Sequence, residues 1–98
     1  MTEQPATRAA RIEAQLTAAF APLSLGVTDD SASHAGHAGA RAGGETHYTV
    51  RLVSAAFRGQ NRVARSRAVH AALAGEFAQG LHALSLALLT PEEAERGG

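Results

Sequence analysis

Apolar and polar positions change their period repeatedly along this chain, and each change marks an element. Ile12, Leu16, Ala19 and Phe20 fall at i, i+4, i+7 and i+8, a single apolar stripe on a first helix. Pro22, which cannot continue a helix, stops it. "LSLGVT" then alternates, with Leu23, Leu25 and Val27 on one face, and predicts a strand over about 23–28. After the acidic turn Asp29-Asp30-Ser31 comes "SHAGHAGARAGGETH", residues 33–47, which opens with no period at all. A mobile loop is expected over about 31–45, because glycine and alanine offer little packing to offset the entropy of ordering them. "THYTVRLV" alternates again: Tyr48, Val50 and Leu52 point one way, His47, Thr49 and Arg51 the other. That predicts a second strand, antiparallel to the first.

The period then returns to that of a helix. Val69, Ala72, Leu73 and Phe77 share one face of a helix starting near Asn61 or Arg62, and Gly75 and Gly80 mark a break into a short extra turn. "HALSLALL" is a third strand with His82, Leu84, Leu86 and Leu88 in phase. In "TPEEAER", Thr90 caps a last helix, Pro91 takes its first position and Glu93 closes a capping box. The order is α-β-β-α-β-α. It predicts an α+β fold, a three-stranded sheet with helices packed on one face. One domain over 1–98 is expected, with a folded core over about 7–96. Leu23, Leu25, Val27, Tyr48, Val50, Leu52, Leu84, Leu86 and Leu88 should pack against Ile12, Leu16, Phe20, Val69, Leu73 and Phe77.

Composition removes several function classes. Nine basic residues, all arginine, balance nine acids, so no net charge draws nucleic acid from a distance. The chain has no cysteine, hence no disulfide, no thiolate metal site of its own and no Cys nucleophile. No apolar run approaches the roughly 20 residues of a spanning helix. "MTEQPATRAARIE" has no apolar core and reads as neither signal peptide nor anchor. A soluble, cytoplasmic protein is expected. No Ser-His-Asp order and no phosphate-binding glycine loop emerge, so the expectation is a binding module and not an enzyme.

Several spaced segments carry a resemblance. "FAPLSLGVTDDSASH", "GGETHYTVRLVSAAFRG", "RVARSRAVHAAL" and "HALSL", in this order, resemble the BolA family over roughly Ile12 to Glu93. The resemblance implies a fold similar to class II KH domains. It also implies a monothiol glutaredoxin partner and a [2Fe-2S] cluster shared with that partner and glutathione, in cluster transfer and iron homeostasis. The family's cluster-contacting positions match His34, in the loop after the first strand, and His82, which opens the third. Two departures stand out. The family's "RHR" signature is here Arg65-Ser66-Arg67, and the tyrosine that follows it is replaced by His70.

The chemistry is consistent with that expectation. Neutral imidazole is a good iron ligand and replaces cysteine on one iron of Rieske-type clusters. A chain without cysteine needs its thiolates from outside, which a glutaredoxin cysteine and a glutathione thiol would supply. His37, three residues from His34, is a substitute ligand, whereas His47, on the polar face of a strand beside Glu45, is expected to be structural. A zinc site from His34, His37 and Asp29 or Asp30 is a weaker alternative that lacks an obvious fourth ligand.

The arginines support a second reading. From Thr46 to Gly75 there are five arginines and no acid. Arg58, Arg62, Arg65 and Arg67 are candidates for contact with DNA or a partner surface. The corresponding KH turn is Gly59-Gln60-Asn61-Arg62, which lacks the second glycine of a Gly-x-x-Gly clamp and so disfavours KH-style RNA binding. The alternative function is a DNA-binding transcriptional regulator using this region, since some BolA proteins act so.

Overall fold

A threonine hydroxyl starts the first helix. Thr7 Oγ1 accepts the Ala10 N–H at 3.1 Å, satisfying one of the orphan donors of α1 (Arg8–Phe20). The computed structural model that shows this describes residues 7–30 and 47–97. Ile12 and Leu16, one turn apart, are the fully buried positions of α1. The helix ends at Ala21, which turns to φ 44° and sets its N–H on the Thr17 carbonyl at 3.0 Å, just ahead of Pro22.

Three strands follow: β1 (Ser24–Asp29), β2 (His47–Val53) and β3 (Ala83–Leu89). The sheet order is β1-β2-β3, with β2 antiparallel to β1 and parallel to β3. A parallel pair needs a long crossover. Here a 3-10 turn (Ala55–Phe57), α2 (Arg62–Ala72) and α3 (Ala74–Ala78) supply it, and α4 (Pro91–Glu95) ends the described chain.

The register explains the core. Leu25 and Val27 lie opposite Leu52 and Val50, and Tyr48, Val50 and Leu52 lie opposite Leu84, Leu86 and Leu88. The central strand therefore buries Tyr48, Val50 and Leu52 almost completely, while their neighbours on the edge strands stay half-buried. Ile12, Leu16, Val69 and Leu73 cover this face from the helices. Each large apolar side chain so buried contributes about 1.5–3 kcal/mol.

Three expectations need correction. Leu23 is 74% exposed, not in the core. The last β1–β2 pair is Ser24 with Val53, so Leu23 lies one step beyond the sheet with no β2 side chain opposite it. His82 is exposed and precedes β3 instead of running in phase with its leucines; Leu81, 4% exposed, enters the core in its place. The break in α2 falls at Leu73, two residues before Gly75, so Gly75 sits inside α3. The core also contains Phe57, fully buried in the one-turn 3-10 element, where no period exists to announce it.

Candidate functional site

The start of β3 is held on both sides. Gly80, at φ 114°, makes a turn that L-residues rarely adopt, and Leu81 then enters the core with its N–H on the Glu76 carbonyl at 2.9 Å. After His82, Ala83 pairs with His47 in the parallel ladder. His82 thus stands exposed between two anchored neighbours.

Its nearest aromatic neighbour is another imidazole. The rings of His47 and His82 have centroids 5.3 Å apart and are tilted by 42°. His47 itself is half-buried at the start of β2. The parallel pairing of β2 and β3 sets the two strand starts side by side.

The turn before His82 is supported from the helix layer. Glu76, 3% exposed, accepts from Arg11 Nε at 2.9 Å, Arg11 Nη2 at 3.0 Å, Arg8 Nε at 3.1 Å and Gln15 Nε2 at 3.2 Å. The Arg11 hydrogen bond is the main cause that holds its carboxyl below the ordinary range, against the opposing effect of burial. Arg8 Nη2 also donates to the Gln79 carbonyl at 2.7 Å, immediately before Gly80.

β1 ends at the same place. The Asp30 N–H donates to the His47 carbonyl at 2.8 Å, and the Thr49 hydroxyl donates to the Asp30 carboxylate. His34 and His37, and the expected loop over 31–45, lie outside the described residues. Both flanks of that segment, Asp30 and His47, are at the His82 end of the sheet. Among the described residues no three His, Asp or Glu side chains gather as a metal site.

The opposite end of the sheet contains the arginines. Arg65, 8% exposed, donates to the Gln60 carbonyl at 2.8 Å, the Leu88 carbonyl at 3.0 Å and both oxygens of Glu93, the shorter at 2.6 Å. Its guanidinium lies 5.8 Å from the centre of the Phe57 ring. Arg58 pairs with Glu92 through two hydrogen bonds, Nε–Oε1 at 3.0 Å and Nη2–Oε2 at 2.5 Å, on the surface. That contact raises the Arg58 pKa and lowers that of Glu92. Arg58 and Arg65 are thus engaged within the fold, and Arg65 is a structural tie between α2, β3 and α4. Arg62 and Arg67 are exposed, with no acidic partner among the described residues. Beside Arg62 runs an open groove of ≈ 980 Å³, lined among others by Asn61, Ser66, Leu88, Glu93 and Arg96.

A mixed three-stranded sheet covered by helices on one face, with an imidazole pair at one end, defines the class as an α+β fold. The chain belongs to the BolA family: the family described as BolA-like protein matches residues 16–93. It is 43% identical over 91 residues to SufE-like protein 1, chloroplastic/mitochondrial, of Arabidopsis thaliana, covering 89% of this chain and 24% of that protein. The BolA domain of SufE1 from the same plant has a solved structure. It covers 92% of this chain, and this chain covers 99% of it, at a TM-score of 0.79 and 41% identity. Protein BOLA1, chloroplastic, of Arabidopsis thaliana is 44% identical over 88 residues, covering 88% of this chain and 55% of the relative. The DNA-binding transcriptional regulator BolA of Escherichia coli (strain K12) is 41% identical over 85 residues, covering 87% and 77%. The chain therefore spans about a quarter of the first of these proteins and just over half of the second.

The cytoplasmic expectation is corrected by these relatives. The two Arabidopsis proteins carry chloroplast or mitochondrial designations, not cytoplasmic ones. The missing apolar core near Met1 argued only against a secretory signal, and such a core is not what organelle addresses are made of.

Proposed function

We propose that this chain is a non-enzymatic adaptor that binds a monothiol glutaredoxin and shares a [2Fe-2S] cluster with it, in cluster transfer and iron homeostasis. His82 is one ligand and His34 the other, with His37 as substitute. The glutaredoxin cysteine and a glutathione thiol supply the sulfur donors that this cysteine-free chain lacks. The observation that carries the reading is the place of His82. Its imidazole is exposed, its backbone is fixed on both sides, and both flanks of the His34 segment meet the sheet at the same end. An exposed imidazole is what a cluster held by a second protein can reach, and histidine ligation of one iron is known chemistry. When bound, the cluster joins the two proteins and carries iron and sulfide between them.

The test is a titration with a cluster-loaded monothiol glutaredoxin, followed by visible absorption and circular dichroism. A new spectrum with a heterodimer is expected, reduced at least about tenfold in complex for His82→Ala, since even outer-shell losses cost metal sites 10–100-fold. His34→Ala should cost less, and the double change with His37→Ala more than either single one. An unchanged spectrum with His82→Ala defeats the reading.

A second reading has its own observation: exposed Arg62 and Arg67 have no acidic partner among the described residues, and Arg62 lines the groove between α2 and β3. Together with the KH-like fold that the family resemblance implies, this supports a DNA-binding regulator. The reading requires DNA affinity that falls steeply with salt and weakens with Arg62→Ala or Arg67→Ala. Salt-insensitive or absent binding removes it.

A further inference from the structure

We propose that His47 and His82 form a two-imidazole chelate for a single transition-metal centre, with His47 as a nitrogen donor that the fold itself supplies. The argument starts from ring separation. Metal–nitrogen bonds of about 2.0–2.1 Å at tetrahedral angles put two imidazole centres on one ion roughly 5 Å apart. The observed separation is 5.3 Å. The two rings come from adjacent parallel strands whose starts are in register, His47 opposite Ala83. Their backbones are therefore fixed relative to each other by the ladder, and only side-chain torsions remain to be set. A chelate whose donors are already neighbours loses little ordering entropy on binding. Each imidazole has two ring nitrogens, so one can bind metal while the other keeps a hydrogen bond.

The pair is incomplete on its own. No third His, Asp or Glu joins it among the described residues, and the chain has no cysteine. Two donors leave the remaining positions of a tetrahedral centre open to outside ligands, as catalytic zinc sites leave one open for water. The shared chemistry is a borderline metal that accepts imidazole nitrogen, from either of two sources: a free divalent ion or the iron of a shared cluster. The iron source rests on the glutaredoxin reading, with His47 then taking the second ligand position that reading gives to His34; the divalent-ion source does not.

The first arm uses Co²⁺ alone on the isolated chain, followed by visible absorption and by paramagnetic broadening of the histidine ring signals in NMR. His47 and His82 should broaden together, and His47→Gln and His82→Gln should each weaken binding at least about tenfold. His47→Cys, which restores a donor, should recover it. The titration is repeated with His34→Ala and His37→Ala combined, where Co²⁺ binding should persist. Far-UV circular dichroism confirms that each variant is folded. Broadening of one ring alone, unchanged affinity in His47→Gln, or loss of binding in the double loop variant overturns the pair.

The second arm adds the cluster-loaded glutaredoxin to His47→Gln. A changed or lost cluster spectrum identifies iron as the metal, whereas an unchanged one with lost Co²⁺ binding identifies a free divalent ion. An unchanged cluster spectrum in His82→Ala, with the Co²⁺ results as expected, sinks the glutaredoxin reading and leaves the chelate standing.

Discussion

The two ends of the parallel pair β2–β3 use their polar residues in opposite ways. Where the strands end, charge is consumed by the fold. Arg65 ties the Leu88 carbonyl, the Gln60 carbonyl and Glu93 together, and Ser54, 1% exposed, donates to the Phe20 carbonyl at 2.7 Å while its N–H takes the Leu89 carbonyl at 2.9 Å. Where the strands start, the ionic cluster lies beneath, in the helix layer, tying α1 to α3 and bracing the turn. Of the two imidazoles beside it, His82 is left exposed and His47 is half-buried. A polar side chain whose partners are all internal is part of the structure. One that is exposed between anchored neighbours, as His82 is, is open to a ligand. That contrast is why the proposed site is set at the histidine end, even though the sequence is richest in arginine near the other.

The largest effect on this contrast should come from Glu76→Ala. It removes the carboxylate that four donors share and leaves Arg8, whose side chain is only 11% exposed, without that acid. Breaking such a part-buried cluster should cost about 2–4 kcal/mol. Urea unfolding measures the loss, and amide exchange at Leu81 and Ala83 should quicken with it. If exchange there is unchanged, the cluster does not support the turn before His82.

Arg65→Ala should follow, at about 2–3 kcal/mol. The partner left behind, Glu93, is 33% exposed in its side chain and can be solvated, so the loss is mainly of hydrogen bonds to two backbone carbonyls and of packing on Phe57. The spectrum of a cluster-bridged complex, read in dilute denaturant-free buffer, should be unaffected. A cluster defect in this variant would mean that the two ends are coupled.

Acid should loosen the strand-end tie next. Glu93 is held down to about 2, first by the Arg65 hydrogen bond and then by the Thr90 N–H in the capping box. Its folded pKa lies below the ordinary 4.5, so its contribution is complete above that value and is lost as pH falls from about 4.5 toward 2. Urea midpoints measured across that window should fall, and Glu93→Gln should flatten part of the slope. A slope equally steep in Glu93→Gln would place the acid sensitivity elsewhere, with Glu76 the next candidate.

Most of the helix and strand order could be read from the chain, because long amphipathic stripes and clean alternation leave few alternatives. The capping box at Thr90 and Glu93 and the helix start at Asn61 were equally plain, since each depends on a local hydrogen bond that sequence spacing encodes. The failures fall where an element ends. Alternation placed Leu23 and His82 on the core face, but neither lies in a strand, and periodicity does not say where pairing stops. The arginine run read as one basic surface, and only tertiary contacts separate Arg65, bound inside, from Arg62 and Arg67 outside. His82 was picked out by resemblance. The nearness of His47 to it required knowing that β2 and β3 start side by side.

The smallest effect on stability is the sharpest test of the comparison. His82 is exposed and its side chain makes only the ring contact with His47 among the contacts shown, while Leu81 and Ala83 do the anchoring. His82→Ala should therefore change stability by no more than about 0.5 kcal/mol, as surface substitutions generally do. The same change should remove at least about nine-tenths of the cluster-bridged complex, the tenfold loss expected of a metal ligand. Urea unfolding and visible circular dichroism on one protein preparation measure both. Arg65→Ala should give the reverse pattern, a large loss of stability with the spectrum retained. Were His82→Ala to destabilise the fold as much as Arg65→Ala does, the imidazole would belong to the structure and the two ends of the sheet would not differ in kind.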